Sequence, residues 1–418
     1  MMKSTNILLI VNNSWGEVDW ILPVMEVLKS CRDVKIWVYF SSMQILKDVK
    51  EYEDLYSRLT KISVDIYTPW NIKRKLGFKR QFAELIKINR SHKLGYYRFI
   101  RKIGSIVRGR FHAMFNSSEL LRLKVPESID YLFHDYSGVD FSSYYREFNS
   151  AQVVVFPHGT FLFNLLNSAF QQQIKRSLSY NKIKNDAFLL LGSPINIPYF
   201  RELTGLKNIV AVGYPKFESS WINSFPIDDK KSKPTLLYLL IPKRKVSGEG
   251  IFAKYIESVI EIARRNNMRL LIKKHPRQGE SEIEEILENY PNEDIEIARN
   301  SVLHTALLSD ITICFPTSAC MDAIAAGIPV IEYFDYTGQH WSTLVEMDGE
   351  ITSVYRMNDM VLASDDLDEL RESVEKIIKD AEFRDRLVKK QRQVWEHLQY
   401  NSGQVIETIV KVLNLSHV

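Results

Sequence analysis

Short apolar runs alternate with longer helix-like stretches in two series along the chain, and this alternation restricts the fold more than any other feature. The first series begins with a strand at 6–11, a helix at 19–30 and a strand at 34–40. The second begins with a strand at 235–241 and continues in the same way to residue 333. Such alternation is typical of parallel sheets with helices on both faces. The sequence therefore predicts an α/β protein with two doubly wound, Rossmann-like domains.

The length of 418 residues suits two domains better than a single core. The polar, charged segment between Pro226 and Pro234 is typical of a linker. Ligands of open α/β sheets bind at the carboxyl ends of the strands, so we expect the two sheets to face a central cleft. We also expect the last helix to return to the first domain. The expected division is an N-terminal domain at 1–225, a linker at 226–234, a C-terminal domain at 235–395 and a helical tail at 396–418.

Several classes of protein are excluded by local patterns. No apolar run reaches the roughly 20 residues that span a bilayer, and the loop after the first strand lacks the GxGxxG pattern of a classical dinucleotide site. The three cysteines, Cys31, Cys314 and Cys320, lack CxxC spacing, which argues against a disulfide framework and a structural zinc ion. A cytoplasmic protein with buried thiols fits this pattern.

A basic segment at 71–110 contains thirteen Lys or Arg residues and one acidic residue, although the net charge of the chain is only +4. Apolar residues are interleaved with these charges, which suits an anionic membrane surface, here the inner face of the cell membrane. An anionic polymer, nucleic acid and simple solvation are the alternatives, and nucleic acid is the least favoured. The residues expected to contact a membrane or another anionic partner are Lys73, Arg74, Lys75, Lys79, Arg80, Arg98, Arg101 and Lys102.

His158 lies just after the apolar run 153–156 and is followed by Gly159 and Thr160. Glycine beside a histidine at the end of a strand leaves room for a substrate near the backbone. The ordinary pKa of imidazole suits a general base. A structural histidine that only caps a turn is the alternative. We expect His158 to be catalytic, with Gly159 and Thr160 lining the cleft.

A basic loop follows an apolar strand of the second series and consists of Lys273, Lys274, His275, Pro276 and Arg277. Cations crowded into one loop suit the phosphate of a nucleotide and stabilise it as a leaving group. We expect the first four of these residues to bind the donor, and His275 also to take part in catalysis. The alternative is a solvated basic loop.

Two hydroxyl residues, Thr317 and Ser318, follow the strand at 311–314 and lie at the start of a helix of small residues at 318–326. Either hydroxyl could cap this helix, and the N–H groups of its first turn favour an anion. Capping without a ligand is the alternative. We expect both hydroxyls to bind the donor together with Asp322, which lies on the helix.

Two further residues are candidates for the cleft. Lys216 ends the turn 213–216, where the chain leaves the first domain, and the turn itself is interpreted as structural. Glu332 lies in the apolar strand at 329–333. The adjacent acidic pairs of the chain, at 228–229 and 365–366, do not follow apolar strands, so we expect no metal site.

The order of these motifs (His-Gly-Thr, Gly-Tyr-Pro-Lys, Lys-x-His-Pro, then Thr-Ser and Asp) resembles the CDP-glycerol glycerophosphotransferase family of teichoic-acid and capsule polymerases. The Lys-x-His-Pro and paired-hydroxyl elements are also similar to those of bacterial sialyltransferases and Kdo transferases, which use CMP donors. The resemblance covers residues 158–335. The sequence departs from the family at Phe315-Pro316, where Asp-Tyr is usual, and at Lys216, where Arg is usual.

The resemblance implies a GT-B fold and a metal-independent transferase without a cofactor. Such an enzyme moves a sugar, for example a 2-keto-3-deoxy sugar, or a polyol phosphate from a CMP- or CDP-activated donor to a cell-surface glycan or lipid-linked acceptor. It also implies that His158 is the base, that His275 contacts the donor phosphate, and that Thr317, Ser318 and Asp322 line the donor pocket. Three alternatives stay open: a UDP-sugar glycosyltransferase, a nucleotide-sugar 2-epimerase, and a non-catalytic protein that binds an anionic glycan.

Overall fold

The computed structural model contains two parallel sheets, each packed between helices. It describes residues 4–30, 33–69, 117–122, 124–136, 140–158, 183–227, 233–246, 250–275, 278, 281–337, 344–347 and 350–414. None of the helices in these ranges combines the length and the hydropathy needed to cross a membrane.

The first sheet has seven parallel strands, and with its helices it is called the N-terminal half. Its strand order is β3-β2-β1-β4-β5-β6-β7. The inner strands are mostly apolar with buried side chains, as expected where helices cover both faces, whereas the edge strand at 63–67 contains Asp65 and the exposed Val64. The strands predicted at 6–11 and 34–40 are confirmed. The bounds are β1 Thr5–Val11, β2 Val34–Phe40, β3 Ser63–Tyr67, β4 Tyr131–Asp135, β5 Gln152–Phe156, β6 Phe188–Leu191 and β7 Asn208–Ala211.

The described helices of this half connect or flank these strands. Helix α1 is buried on almost every side, because it packs on the sheet, on two neighbouring helices and on the tail of the chain. The bounds are α1 Trp15–Ser30, α2 Met43–Lys50, α3 Glu53–Ile62, α4 Ser117–Arg122, α5 Ser142–Glu147, α6 Ile197–Thr204 and α7 Ser219–Ile222.

The second sheet has six parallel strands in the order β10-β9-β8-β11-β12-β15, and with its helices it is called the C-terminal half. Two further strands, β13 and β14, form a separate antiparallel pair that the sequence did not predict. The bounds are β8 Thr235–Leu239, β9 Arg269–Lys273, β10 Ile295–Ile297, β11 Ile311–Cys314, β12 Val330–Tyr333, β13 Leu344–Met347, β14 Glu350–Ser353 and β15 Leu362–Ser364.

The helices of the C-terminal half follow the predicted alternation with strands, except that the last helices follow one another without a strand between them. The bounds are α8 Ile251–Arg265, α9 Ser281–Leu287, α10 Val302–Leu307, α11 Cys320–Ala325, α12 Val354–Met357, α13 Leu367–Lys379, α14 Ala381–Leu398 and α15 Val405–Val412.

The tail crosses back onto the N-terminal half, which confirms the prediction for the last helix. Trp395 of α14 packs edge-on against Phe217, with 4.9 Å between ring centroids. Beyond α15, the carbonyl of Leu413 accepts a hydrogen bond from the hydroxyl of Tyr131 at 2.7 Å. The tail therefore holds the two halves together along the side of the molecule next to α1.

Gly213 is a point of close approach between the tail and the N-terminal half. Its φ is +95°, and a Cβ at this position would lie 2.3 Å from the backbone oxygen of Tyr400. We expect Gly213→Ala to lower the Tm by several degrees, because the methyl group must displace the tail. Gly205 has a φ of +67° and open space around it, so Gly205→Ala reports backbone strain alone. Equal losses of Tm in the two variants would contradict the role of the tail contact.

Candidate functional site

Three strand ends of the N-terminal sheet bring polar side chains to one point. Strands β1, β4 and β5 are neighbours, so their carboxyl ends lie side by side. Asp135 is the last residue of β4 and pairs in register with Phe156, the last residue of β5. His158 follows Phe156 by two residues, so it lies just beyond the end of β5, next to Asp135. The loop after β1 leads into α1 and brings Glu17 to the same edge. The edge that the sequence predicted for ligand binding therefore carries an imidazole and two carboxyl groups.

The imidazole of His158 is held by a buried carboxylate. Its Nδ1 lies 2.8 Å from Oδ2 of Asp135, and the backbone N–H of His158 donates to the same oxygen at 2.8 Å. The Asp135 side chain is fully buried, whereas that of His158 is 29% exposed. A carboxylate that accepts from Nδ1 favours the tautomer with the lone pair on Nε2. In that tautomer His158 can accept a proton at Nε2.

Glu17 completes the cluster from the first turn of α1. Its carboxyl group accepts hydrogen bonds from the backbone N–H groups of residues 12–14. Burial, followed by the charge of Asp135, raises the pKa of Glu17, while His158 and the amide donors oppose this shift. Two carboxyl groups and an imidazole so close together share their protons. The cluster can therefore hold a proton in addition to accepting one.

The same three side chains could hold a metal ion. One ligand atom each of Glu17, Asp135 and His158 lies within 4.8 Å of the other two. Carboxylate and imidazole ligands suit several divalent transition metals. The absence of a metal therefore stays a prediction.

Lys273 lies in the interface between the two halves, and its predicted role as a phosphate ligand stays a prediction. Its side chain is buried, and Nζ donates to the carbonyl oxygens of Ala298, at 3.2 Å, and of Asn300. Nζ also lies 4.1 Å from the ring centroid of Tyr52 in the N-terminal half. An ammonium enclosed in this way joins the two halves.

Lys274 and the residues nearby add to this interface. Nζ of Lys274 lies 2.8 Å from Oε2 of Glu51. Asp54 accepts hydrogen bonds from the backbone N–H and the hydroxyl of Ser301, the N-cap of α10. Glu51 directly follows α2, and Asp54 lies in the first turn of α3. Donor binding by Lys274 stays a prediction. A donor phosphate would have to compete with Glu51 for the ammonium of Lys274.

The burial of Lys273 predicts a dependence of stability on pH. Burial lowers its pKa from 10.5 to about 7, with Asp54 opposing the shift. Between these values the unfolded chain binds more protons than the folded chain, so the unfolding free energy rises with pH. The slope is at most about 1.4 kcal/mol per pH unit. Chemical denaturation of wild type and Lys273→Met at pH 7 to 10 should show the wild type gaining stability relative to the variant. A constant difference would contradict this assignment.

The hydroxyl residues lie at the carboxyl end of β11, but they do not cap the helix. Helix α11 begins at Cys320 and its N-cap is Ala319, so the predicted start at 318 and the predicted capping by Thr317 or Ser318 are wrong. Oγ1 of Thr317 accepts from the N–H of Ala319 at 3.4 Å, which closes a local turn instead. Both hydroxyl residues are partly exposed, so donor binding stays a prediction for them.

Lys216 joins the two halves through two acidic residues. Nζ lies 3.0 Å from Oδ2 of Asp19 on α1, and 2.8 and 3.0 Å from the two carboxylate oxygens of Asp322 on α11. The Asp322 side chain is 3% exposed. Lys216 engages both oxygens of Asp322, and donor binding by Asp322 stays a prediction. These contacts also place Lys216 between the halves and not on an open surface.

Glu332 belongs to the interior of the C-terminal half, which corrects its prediction as a cleft residue. Its carboxylate is fully buried and lies 2.7 Å from Nε of Arg356. The hydroxyl of Tyr336 donates to it at 2.6 Å, and that of Ser353 at 2.8 Å. These contacts attach β12 to the segment after β14, so the role of Glu332 is structural.

Several predicted residues lie outside the described ranges. These are Gly159, Thr160, Pro276 and the residues of the basic segment, Lys73, Arg74, Lys75, Lys79, Arg80, Arg98, Arg101 and Lys102. Their predicted roles stay predictions.

Helix α1 connects His158 to the C-terminal half. A Cβ added to Gly16 would lie 3.5 Å from Cδ2 of His158, so the imidazole packs beside the first turn of this helix. In the same turn Trp15 stacks on Tyr52 at 4.4 Å between ring centroids, and Tyr52 in turn contacts Lys273. His275 lies two residues after Lys273 and is partly exposed. The loops that carry the two predicted catalytic histidines are therefore linked through one helical turn.

Asp135, Glu17 and a further basic turn at 243–245 were not predicted from the sequence. Asp135 ends an apolar strand, and this position was itself a usable signal. Glu17 lies inside a helical pattern, so no local signal marks it. Lys243 and Lys245 are exposed in the turn after β8, next to the ends of β9 and β11. Their signal, cations directly after an apolar strand, is the one already used for His275 and its neighbours.

Solved structures with the same architecture match the chain over its whole length. S. aureus MnaA, in a co-structure with UDP, has 11% identity and a TM-score of 0.57, and the match covers 99% of this chain and 98% of that one. A UDP-N-acetylglucosamine 2-epimerase has 11% identity and a TM-score of 0.57, with 100% and 97% covered. The Neisseria meningitidis UDP-GlcNAc 2-epimerase, bound to UDP-GlcNAc, has 12% identity and a TM-score of 0.54, with 99% and 100% covered.

Sequence comparison adds no closer assignment. No protein-family model matches the chain. No curated protein matches it either. Because the structural matches have such low identity, they establish the fold alone. The two parallel sheets and the full-length matches show that the chain has the GT-B fold.

Proposed function

We propose that this chain is an enzyme that acts on a nucleotide-activated sugar, with His158 as the proton acceptor. The observation that carries the proposal is the contact between Nδ1 of His158 and the buried carboxylate of Asp135. This contact leaves the lone pair on Nε2 of a partly exposed imidazole, at the strand edge where α/β proteins bind ligands.

The nucleotide is proposed to dock on the C-terminal half. Loops after the adjacent strands β9, β8 and β11 carry His275, Lys243, Lys245, Thr317 and Ser318 at one edge of the sheet. Cations and hydroxyls suit phosphate oxygens, and a phosphate bound there would face α1 and His158. These residues take the place of Lys273 and Asp322 as proposed donor-binding residues, because the charged groups of those two residues lie in the interface between the halves.

The reaction proposed first is 2-epimerisation of the sugar. The solved structures that share the fold over the full chain include UDP-GlcNAc 2-epimerases. In the proposed reaction the proton at C2 is removed as the diphosphate leaves C1, so that the electron pair of the C2–H bond forms a C1=C2 double bond. A proton is then added to the other face of C2, and the diphosphate returns to C1. The enzyme therefore needs a proton acceptor, a proton donor and cations that hold the departing diphosphate. His158 supplies the first. Glu17 is fully buried, so a proton held on it would reach the sugar by way of His158.

Incubation with UDP-GlcNAc alone in D2O tests this reaction. The expected product is the 2-epimer with one solvent deuterium at C2 and no acceptor requirement. A 2-epimer without deuterium would contradict proton exchange at the cluster. No product from UDP-, CMP- or CDP-activated sugars, with or without glycan acceptors, would overturn the proposed function.

The second candidate is transfer of a sugar or polyol phosphate from a CMP- or CDP-activated donor to a glycan or lipid-linked acceptor. It is favoured by the order of the four short motifs between 158 and 335. A thermal-shift panel of UMP, UDP, CMP and CDP separates the candidates, because a nucleotide at 100 times its Kd adds about 2.7 kcal/mol of stability. A response to cytidine nucleotides alone favours the transferase.

The membrane is proposed as a partner only for the transferase. The basic segment at 71–110 suits an anionic bilayer that carries a lipid-linked acceptor. Flotation with vesicles containing phosphatidylserine should carry the protein upward, and competing RNA should not release it. Release by RNA, or no flotation, would contradict this partner.

A further inference from the structure

We infer that Lys216 is a positioning residue that couples closure of the two halves to the placement of His158. The inference rests on the proposed function. It adds a mechanical link between Lys216 and His158 that neither the motifs nor the fold indicates. It starts from a buried cluster of one ammonium and two carboxylates, Asp19–Lys216–Asp322, which we call the interface triad.

The interface triad is enclosed and crosses the boundary between the halves. The side chain of Lys216 is 12% exposed, that of Asp19 4% and that of Asp322 3%. Asp19 and Lys216 belong to the N-terminal half, and Asp322 belongs to α11 of the C-terminal half. Since charges are poorly solvated here, opening the halves would have to separate an ion pair or rehydrate it. The closed arrangement is therefore held at this point by charge.

The triad acts on His158 through a single turn of α1. Gly16 packs beside the imidazole, Glu17 belongs to the proton-sharing cluster, and Asp19 binds Lys216. An α-helix rises about 1.5 Å per residue and is stiff over one turn. A displacement of Asp19 therefore moves Gly16 and Glu17 by a similar amount.

A second observation distinguishes the triad from an ordinary salt bridge. Two carboxylates share one ammonium, and Oδ1 of Asp19 is buried without a hydrogen-bond partner in the described part of the chain. A buried acceptor without a partner destabilises the closed state, so the closed and open states are more evenly balanced than two ion pairs alone would make them. Such a balance allows binding of a substrate between the halves to decide which state is populated.

Two variants test the inference, Asp19→Asn and Asp322→Asn. Each leaves Lys216 paired with the other carboxylate, so each should fold. If the closed fraction falls to a tenth, the apparent affinity for a ligand that contacts both halves falls by the same factor. We expect both variants to raise the KM for the nucleotide sugar about tenfold and to change kcat by less than about threefold, because saturating substrate restores closure.

Two further measurements separate this role from a structural one and from direct nucleotide binding. Small-angle scattering of the ligand-free proteins should give a larger radius of gyration for both variants than for the wild type. The Kd of UMP, which is proposed to contact the C-terminal half alone, should change by less than about twofold. Glu375→Gln, which breaks the exposed pair of Glu375 with Lys379, is the control and should match the wild type throughout.

The outcomes are distinct. Unchanged KM and radius in both variants would overturn the inference and leave the proposed function untouched. Weaker UMP binding in Asp322→Asn, with Asp19→Asn like the wild type, would make Asp322 a nucleotide ligand and also overturn it. If the wild type turned over no nucleotide sugar, the proposed function would fail, and unchanged radii would then refute the coupling independently.

Discussion

His158→Ala should lower kcat by about 10²–10⁴-fold, the usual contribution of a positioned general base. The loss should fall on kcat because the imidazole is proposed to take a proton during the reaction and not to take part in nucleotide docking. Nδ1 is already bound to Asp135, so the variant removes the group with the lone pair on Nε2 and leaves the buried carboxylate in place. Steady-state turnover and deuterium incorporation at C2 measure the effect.

A matched control uses another histidine. His397 is exposed on α14, and His397→Ala should keep full turnover. Binding of UMP by His158→Ala, followed by thermal shift, should match the wild type, which shows that the C-terminal half is intact. Full turnover in His158→Ala would show that His158 is not the proton acceptor. It would also contradict the function proposed for the cluster of His158, Asp135 and Glu17.

Asp135→Asn should lower kcat by about 10²–10⁴-fold as well, although it changes only one atom. The amide oxygen can still accept from Nδ1 and from the backbone N–H of His158. What it cannot supply is the negative charge that stabilises the imidazolium after proton transfer. Asp186, an exposed aspartate of the same half, provides the control variant Asp186→Asn.

The pH profile of Asp135→Asn provides a readout that a merely structural change would not give. The charge of Asp135 contributes to the raised pKa of Glu17, second to burial. Removing it lowers the pKa of Glu17, so the residue loses its proton at a lower pH than in the wild type. If the proton held on Glu17 is the one returned to the sugar by way of His158, the alkaline limb of kcat should move to lower pH. A limb that stays in place, or moves upward, would contradict this role.

The fold could be predicted because its signals are local. Continuous apolar runs such as β1 and β5 are buried on both faces, and the sequence shows this without reference to any other segment. His158 was found for the same reason, since its position at the end of β5 follows from the strand. The bounds of α11 were less accurate, because hydroxyls near a helix start can close a turn without capping it.

By itself, the sequence determined that the chain forms two helix-covered parallel sheets, and that His158 stands at a strand end, because periodicity and strand ends depend on neighbouring residues. Only the tertiary structure decided what the charges do. Lys216 and Asp19 are 197 residues apart, and Lys274 and Glu51 are 223 apart, so no local pattern could pair them. The energy of a charge depends on what surrounds it in space, and packing brought Asp135 and Glu17 to His158 while it placed Lys273 and Asp322 between the halves.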